Sequence, residues 1–265
     1  MARLALDGVP AAELAARWGV PQCGLFRRLT STLDAIHDLG ALGAPAGTTV
    51  IAEEQSAGRG RDGRTWHSPA GGVWLGLLLR PEHVAPGERG GGVAGGAGGA
   101  GGAVAIRAGL AVADAVDALL GGPVARLKWP NDVLLDDRKI AGVLCEGRWQ
   151  GDRLQWLAVG VGVNVRNALP AAVASRAVAL HERLPDVRRI DVLDRLVPAL
   201  VRSAALEPAL SERECAAFAR RDWLRGRQLR EPAVGRAGGL RPDGALLVDL
   251  GAGTIGVREG HVELA

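Results

Sequence analysis

The chain has 265 residues, 48% of them hydrophobic and 23% charged, enough for one sizeable core with a small appended unit and too balanced for wholesale disorder. Its formal charge of +3 is too small a surplus to argue for nucleic-acid binding by field alone. No uncharged run approaches the ~20 apolar residues of a membrane span, and Asp7 interrupts the weakly apolar start. Cys23, Cys145 and Cys215 share no metal or disulfide spacing, and the histidines are scattered. The expectation is a reduced, cytoplasmic chain with no cleavable leader and no protein-built metal site.

Residues 1–29 carry a short helical signal around Ala11–Trp18 and too little else for a separate domain. Ser31 followed by Asp34 reads as a capping box opening a helix through about Leu39. Thr48–Glu53 reads as a strand that ends at a Gly/Arg loop, and Val73–Leu79 as a buried central strand. Residues 86–102 are low-complexity Gly/Ala, expected to form a flexible insertion before a helix over Val104–Leu120. A short strand, Val124–Lys128, precedes a Pro-Asn turn. A hairpin of Val133–Leu135 and Ile140–Cys145 comes next, turning through Asp136–Lys139. Leu154–Val165 is another strand, whose Gly160 and Gly162 mark a backbone that something approaches closely. The pattern from Asp191 to Phe218 is helical, with Pro198 expected to kink or divide it. Short β-like pieces follow Trp223. Strands and helices mix without strict alternation, which predicts an α+β main domain.

Only two of the 32 basic side chains are lysines, Lys128 and Lys139, in a chain that otherwise uses Arg. Arg is a planar fork and Lys a compact point charge on a flexible stem, so a Lys kept twice in one short segment marks that segment. It reads Lys128-Trp129-Pro130-Asn131-Asp132, then Lys139-Ile140-Ala141-Gly142. A lysine at a strand end followed by a Pro-restricted turn with an amide and a carboxylate can hold a phosphoryl group and orient a nucleophile. Upstream, Gly58-Arg59-Gly60-Arg61-Asp62-Gly63-Arg64-Thr65-Trp66 pairs bendable backbone with forked cationic donors. Its composition also suits an ordinary solvated loop or an RNA-binding Gly/Arg segment. Val159-Gly160-Val161-Gly162-Val163-Asn164 is a third, weaker segment.

Together and in this order the segments resemble the biotin protein ligases, from about residue 27 to the end. Ser31-Thr32-Leu33 stands where that family has Ser-Thr-Asn, and Glu53 and Gln55 precede the Gly-Arg-Gly-Arg-x-Gly-Arg-x-Trp loop. Lys128–Asp132, Lys139–Gly142 and Gly160–Asn164 complete the pattern. The resemblance implies an α+β fold: a mixed-sheet catalytic domain of the class II aminoacyl-tRNA synthetase/biotin ligase type over residues 1–222, and a small SH3-like barrel over 223–265. It is that of the short form, without an N-terminal DNA-binding domain. The implied reaction is ATP-dependent activation of biotin to biotinyl-AMP, then transfer to a lysine of a biotin carboxyl carrier domain of acetyl-CoA, propionyl-CoA or pyruvate carboxylase. DNA and membranes are not implied as partners, and the chain is expected as a monomer or homodimer.

By the same resemblance Ser31, Thr32 and Gln55 would bind the biotin ureido ring. Leu33 cannot offer the side-chain bond of the family's Asn. Arg59, Gly60 and Arg61 would close over biotin and the adenylate. Lys128 would bridge the biotin carboxylate and the α-phosphate, with Arg59 and Asp132 completing the catalytic set and Asp132 handling the incoming amine. Arg59, Arg61, Arg64, Trp66, Asn131, Lys139 and Asn164 would bind ATP, accompanied by Mg²⁺. The competing expectations are a ligase that doubles as a repressor, a lipoate or octanoate ligase, and a non-enzymatic nucleic-acid-binding protein.

Overall fold

The structure, a computed structural model, describes residues 4–81, 100–203, 207 and 209–265. The chain starts with a two-strand ribbon, β1 (Ala5–Leu6) and β2 (Val9–Pro10), and helix α1 (Ala11–Trp18). Then come β3 (Cys23–Leu29), α2 (Thr32–Ala41), β4 (Thr49–Gln55) and β5 (Val73–Leu79). Helix α3 (Ala100–Leu120) leads into β6 (Arg126–Lys128), β7 (Asp132–Leu135), β8 (Arg138–Gln150) and β9 (Arg153–Val163). Two helices, α4 (Arg189–Ser203) and α5 (Glu212–Arg221), follow. The C-terminal strands are β10 (Gln228–Glu231), β11 (Gly235–Leu240), β12 (Leu246–Asp249), β13 (Thr254–Val257) and β14 (Glu263–Leu264).

Seven strands form the main sheet in the order β3-β4-β5-β9-β8-β7-β6. Only β3 and β4 run parallel, with α2 as their crossover; every other neighbouring pair is antiparallel. This is the α+β mixed sheet expected, and the C-terminal SH3-like unit is a five-stranded antiparallel sheet in the order β13-β12-β11-β10-β14. Among the described residues no helix is long and apolar enough to cross a membrane.

Side-chain alternation assigns the two faces of the sheet. Val73, Leu75, Leu77 and Leu79 of β5 and Leu157, Val159, Val161 and Val163 of β9 enter one large core with α1, α3 and α4. The opposite face carries a smaller cluster in which Leu33 and Ile36 of α2 meet Val50, Leu78 and Ala158. On that second face the central strands switch to glycine. Gly76 pairs with Gly160 and Gly142 with Gly162 across β5, β9 and β8. A Cβ at Gly76 would lie 2.7 Å from Ile36 Cγ1, so the glycine lets α2 sit close to the sheet.

The structure corrects five sequence expectations. Residues 23–29 are an edge strand, where only the α1 signal was legible. Ser31 caps α2 by accepting from the Leu33 N–H at 3.3 Å, and Asp34 turns to Arg59 instead of closing a capping box. Helix α3 already includes residues 100–102, which were assigned to the Gly-rich insertion; the rest of that insertion lies outside the described residues. The β7–β8 turn is the two residues Asp136 and Asp137, both at positive φ (51° and 58°), a tighter connection than the four-residue loop expected. Pro198 lies inside an unbroken α4, and the helical stretch divides only between Ser203 and Glu212.

Candidate functional site

The glycine face of the sheet is the floor of a cavity of about 530 Å³, within the size range of small-molecule sites. Its walls come from five places: the α2 N-terminus, the Gly/Arg loop, the β6–β8 segment, the segment 169–177 and the C-terminal unit. Every residue to which the resemblance gave a binding or catalytic role lines it. Ser31, Thr32, Leu33 and Gln55 form one end, and Arg59, Gly60, Arg61, Arg64 and Trp66 come from the loop. Lys128, Asn131, Asp132, Lys139 and Asn164 form the other side.

At the α2 end, Gln55 Oε1 accepts from both the backbone N–H (2.8 Å) and the hydroxyl (3.1 Å) of Thr32, while its amide donates to Ser68 Oγ at 2.8 Å. Ser31 and Thr32 are buried, so this end presents fixed polar groups in an otherwise apolar slot. Leu33, where the resemblance would have an Asn, is buried in the small core and lies over Gly160, where a Cβ would come within 3.0 Å of its Cγ.

The Gly/Arg loop folds back on itself. Trp66 N–H donates to Gly58 O and Gly60 N–H to Arg64 O, at 2.8 and 2.7 Å. Its Arg59 side chain makes a two-pronged pair with Glu146 (3.1 and 3.0 Å) and donates to Asp34 Oδ1 at 2.6 Å. Glu146 is also bonded to His37 Nε2 at 3.1 Å, and the Trp156 indole N–H donates to His37 Nδ1 at 3.0 Å. Because Nδ1 accepts, Nε2 carries the proton and donates to the carboxylate. His37 first, and Arg59 second among its bonding partners, hold the Glu146 carboxyl down to about 2. Sequence reading missed this His37–Trp156–Glu146 support, which no motif spacing marks.

The cations divide into committed and uncommitted. Arg59, Arg64 and Lys139 are held in ion pairs, Lys139 Nζ lying 2.5 Å from Asp132 Oδ1 and 5.0 Å from the Trp66 ring centroid. Lys128 and Arg61 hold no ion pair among the described residues. Burial pushes the half-buried Lys128 ammonium below its ordinary value; Asp132 pulls it back up, and Lys139 and Arg64 add to the depression. Asn131 is a strap: its amide donates to Val143 O at 2.7 Å, and Val143 N–H returns a bond to its backbone carbonyl at 3.0 Å. Asn164 is tied to Asn167 and, at 3.5 Å, to Lys139 O. Trp66 Nε1 is buried and has no partner among the described residues.

Sequence reading also missed the walls supplied from far along the chain. Arg176 lines the cavity, and so do Trp223 and the C-terminal residues Gly260, His261 and Val262. His261 Nδ1 lies 3.5 Å from Arg64 Nη2, joining the C-terminal unit to the Gly/Arg loop.

Comparison with known proteins agrees with this geometry. Residues 25–164 match the Biotin/lipoate A/B protein ligase family. The chain is 37% identical over 227 residues to the biotin–[acetyl-CoA-carboxylase] ligase of Paracoccus denitrificans, covering 78% of this chain and 86% of the relative. It is 29% identical over 247 residues to the bifunctional ligase/repressor BirA of Bacillus subtilis, covering 89% and 72%. Among solved structures, the Aquifex aeolicus biotin protein ligase in complex with biotin and ATP superimposes with a TM-score of 0.72 at 24% identity, covering 92% of this chain and 99% of that one. The chain belongs to the Biotin/lipoate A/B protein ligase family, and within it to the biotin protein ligases.

Proposed function

We propose that the cavity activates biotin with ATP and passes the biotinyl group to a lysine of a carrier domain. The observation that carries this reading is Lys128: a half-buried cation with no ion pair among the described residues, on the wall of a cavity whose other end presents fixed polar groups. A desolvated cation in that position favours an anionic ligand over water.

In the first step a biotin carboxylate oxygen attacks the α-phosphorus of ATP, and the bond to the leaving pyrophosphate breaks. Lys128 sits where it can neutralise charge between carboxylate and α-phosphate, with Arg61 as a second uncommitted cation. Ser31, Thr32 and Gln55 offer the ureido ring donors and acceptors already fixed by their own bonds. The Trp66 N–H, without a partner among the described residues, lies with Asn131 and Asn164 on the nucleotide side in this reading. In the second step the carrier amine attacks the acyl carbon, AMP leaves, and the amine gives up a proton. Asp132 is the carboxylate available for that proton once Lys139 is drawn toward phosphate.

The cavity carboxylates Asp62 and Asp132 are paired with Arg64 and Lys139, and Asp137 accepts from an indole N–H. Among the described residues no group of three or more His, Cys, Asp or Glu could hold a metal ion. The donor set therefore fits no resident cation, and Mg²⁺ belongs to this reading as the counter-ion of the triphosphate, held by phosphate and water. Residues 1–222 form the ligand-binding unit in this reading and 223–265 the C-terminal unit, which closes one wall. The carrier is proposed as that of an acetyl-CoA carboxylase, after the activity named for the Paracoccus relative.

The test is pyrophosphate release from ATP by the purified chain with biotin, with lipoate and with neither, beside Lys128→Ala. Release that needs biotin and falls by about a hundredfold or more in the variant is expected. Release indifferent to the acid supplied, or unchanged in Lys128→Ala, overturns the reading.

A further inference from the structure

Strand β6 ends the main sheet, yet its outer edge is not bare. Leu127 bridges Asp222 in parallel register, and the Trp223 N–H donates to Leu127 O at 2.9 Å. The register that sets 222 beside 127 sets 223 beside 128, and paired residues of neighbouring strands project to the same side. The Trp223 ring accordingly stands next to Lys128, with Nζ 5.6 Å from the ring centroid, within the range at which a ring face attracts an ammonium.

The ring is itself fixed. Its indole N–H donates to Asp137 Oδ1 at 2.6 Å, in the β7–β8 turn, and the Arg227 guanidinium lies 3.9 Å from its centroid. Asp222, which starts this segment, accepts the Leu224 N–H at 2.9 Å and so holds the chain in the turn that presents the indole. A flexible lysine stem with four rotatable bonds has many places to put its charge, and Lys128 has no ion pair among the described residues to choose between them. Trp223 is the aromatic ring on which the cation rests.

We propose that Trp223 is a positioning residue for Lys128: its ring face holds the ammonium at the cavity wall, at the place where carboxylate and phosphate meet. The inference rests on the adenylating role given to Lys128 above. It assigns to the C-terminal unit a part in the first chemical step, acting through a side chain that need not touch the substrate.

The test compares Trp223→Phe and Trp223→Leu with the native chain in the pyrophosphate-release assay, with melting temperatures measured alongside. Phe keeps a ring face and loses the bond to Asp137; Leu keeps apolar bulk and loses the ring. The expected result is a fall in kcat of about tenfold for Leu with KM for biotin and ATP nearly unchanged, and recovery of most of kcat in Phe. Leu performing as well as Phe, or a change confined to KM, overturns the proposal, because packing alone would then account for the residue. The native chain separates the two claims. If its release does not depend on biotin, the adenylating reading fails whatever the variants do; if it does, the variants judge Trp223 alone.

Discussion

Gly162 leaves room for the Trp66 indole, since a Cβ there would lie 2.5 Å from Nε1 and 2.7 Å from Cε2. Gly162→Ala should therefore push the indole out of its place at a cost of about 1–3 kcal/mol. It should raise KM for ATP by about tenfold while leaving biotin binding intact, which steady-state titration of each substrate would separate. Glu146 makes a second residue-scale prediction, in pH. Its folded carboxyl is held at about 2 against an ordinary 4.5, so its contribution to stability is complete above pH ~4.5 and disappears as pH falls toward 2. Thermal melts of the native chain and Glu146→Gln should diverge at neutral pH and converge through that acid window; parallel curves would refute the assignment. The residues of the cavity floor and the loop were legible because each sits in a short motif with a spacing of its own. Trp223, His37 and Trp156 were not, because their meaning lies in contacts with residues far away in the chain.

Helices and strands show where local signals suffice and where they do not. The run Val73–Leu79 was legible as a strand because it is apolar throughout, as fits its seven buried residues, and the glycines of β9 marked a backbone approached closely, as Leu33 does at Gly160 and Trp66 at Gly162. Edge strand β3 carried neither pattern: most of its residues are half-buried or exposed, and only pairing with β4 makes it a strand. Pro198 failed to divide α4 because its neighbours Leu193, Leu196, Val197 and Leu200 are buried in the main core, and that packing holds the helix across the missing N–H. Pro198→Ala should thus raise the melting temperature, with a gain of up to ~3 kcal/mol from helix propensity reduced by the looser unfolded chain. Ser31→Ala should act the other way, losing the α2 cap at about 1 kcal/mol, and weaken biotin binding by isothermal titration in the same variant.

The C-terminal unit is tied to the main sheet through its interior. Trp129, almost wholly buried, donates its indole N–H to the buried Gly244 carbonyl at 2.8 Å, and Trp223 and His261 reach back into the cavity. Trp129→Phe strands that carbonyl and should cost about 1–3 kcal/mol in chemical denaturation. Native chain and variant should each unfold in one transition if the two units melt together. This coupling was hidden from the sequence, where the β-like pieces after Trp223 read as a small appended barrel. The overall class was legible because mixed strands and helices without strict alternation leave few layer arrangements open.

Lys128 and Lys139 are the only lysines of the chain, and both stand in the cavity wall. The whole outer surface is therefore without a side-chain amine, its positive charge being carried by guanidinium groups. Amine-directed reagents such as succinimidyl esters, which decorate most proteins all over, would have here the chain's α-amine and the two cavity lysines as their amine targets. A mass spectrum after brief labelling becomes a count of cavity access, read without any substrate, and coupling this protein to an amine-reactive support would be expected to orient it by its N-terminus or to block its cavity.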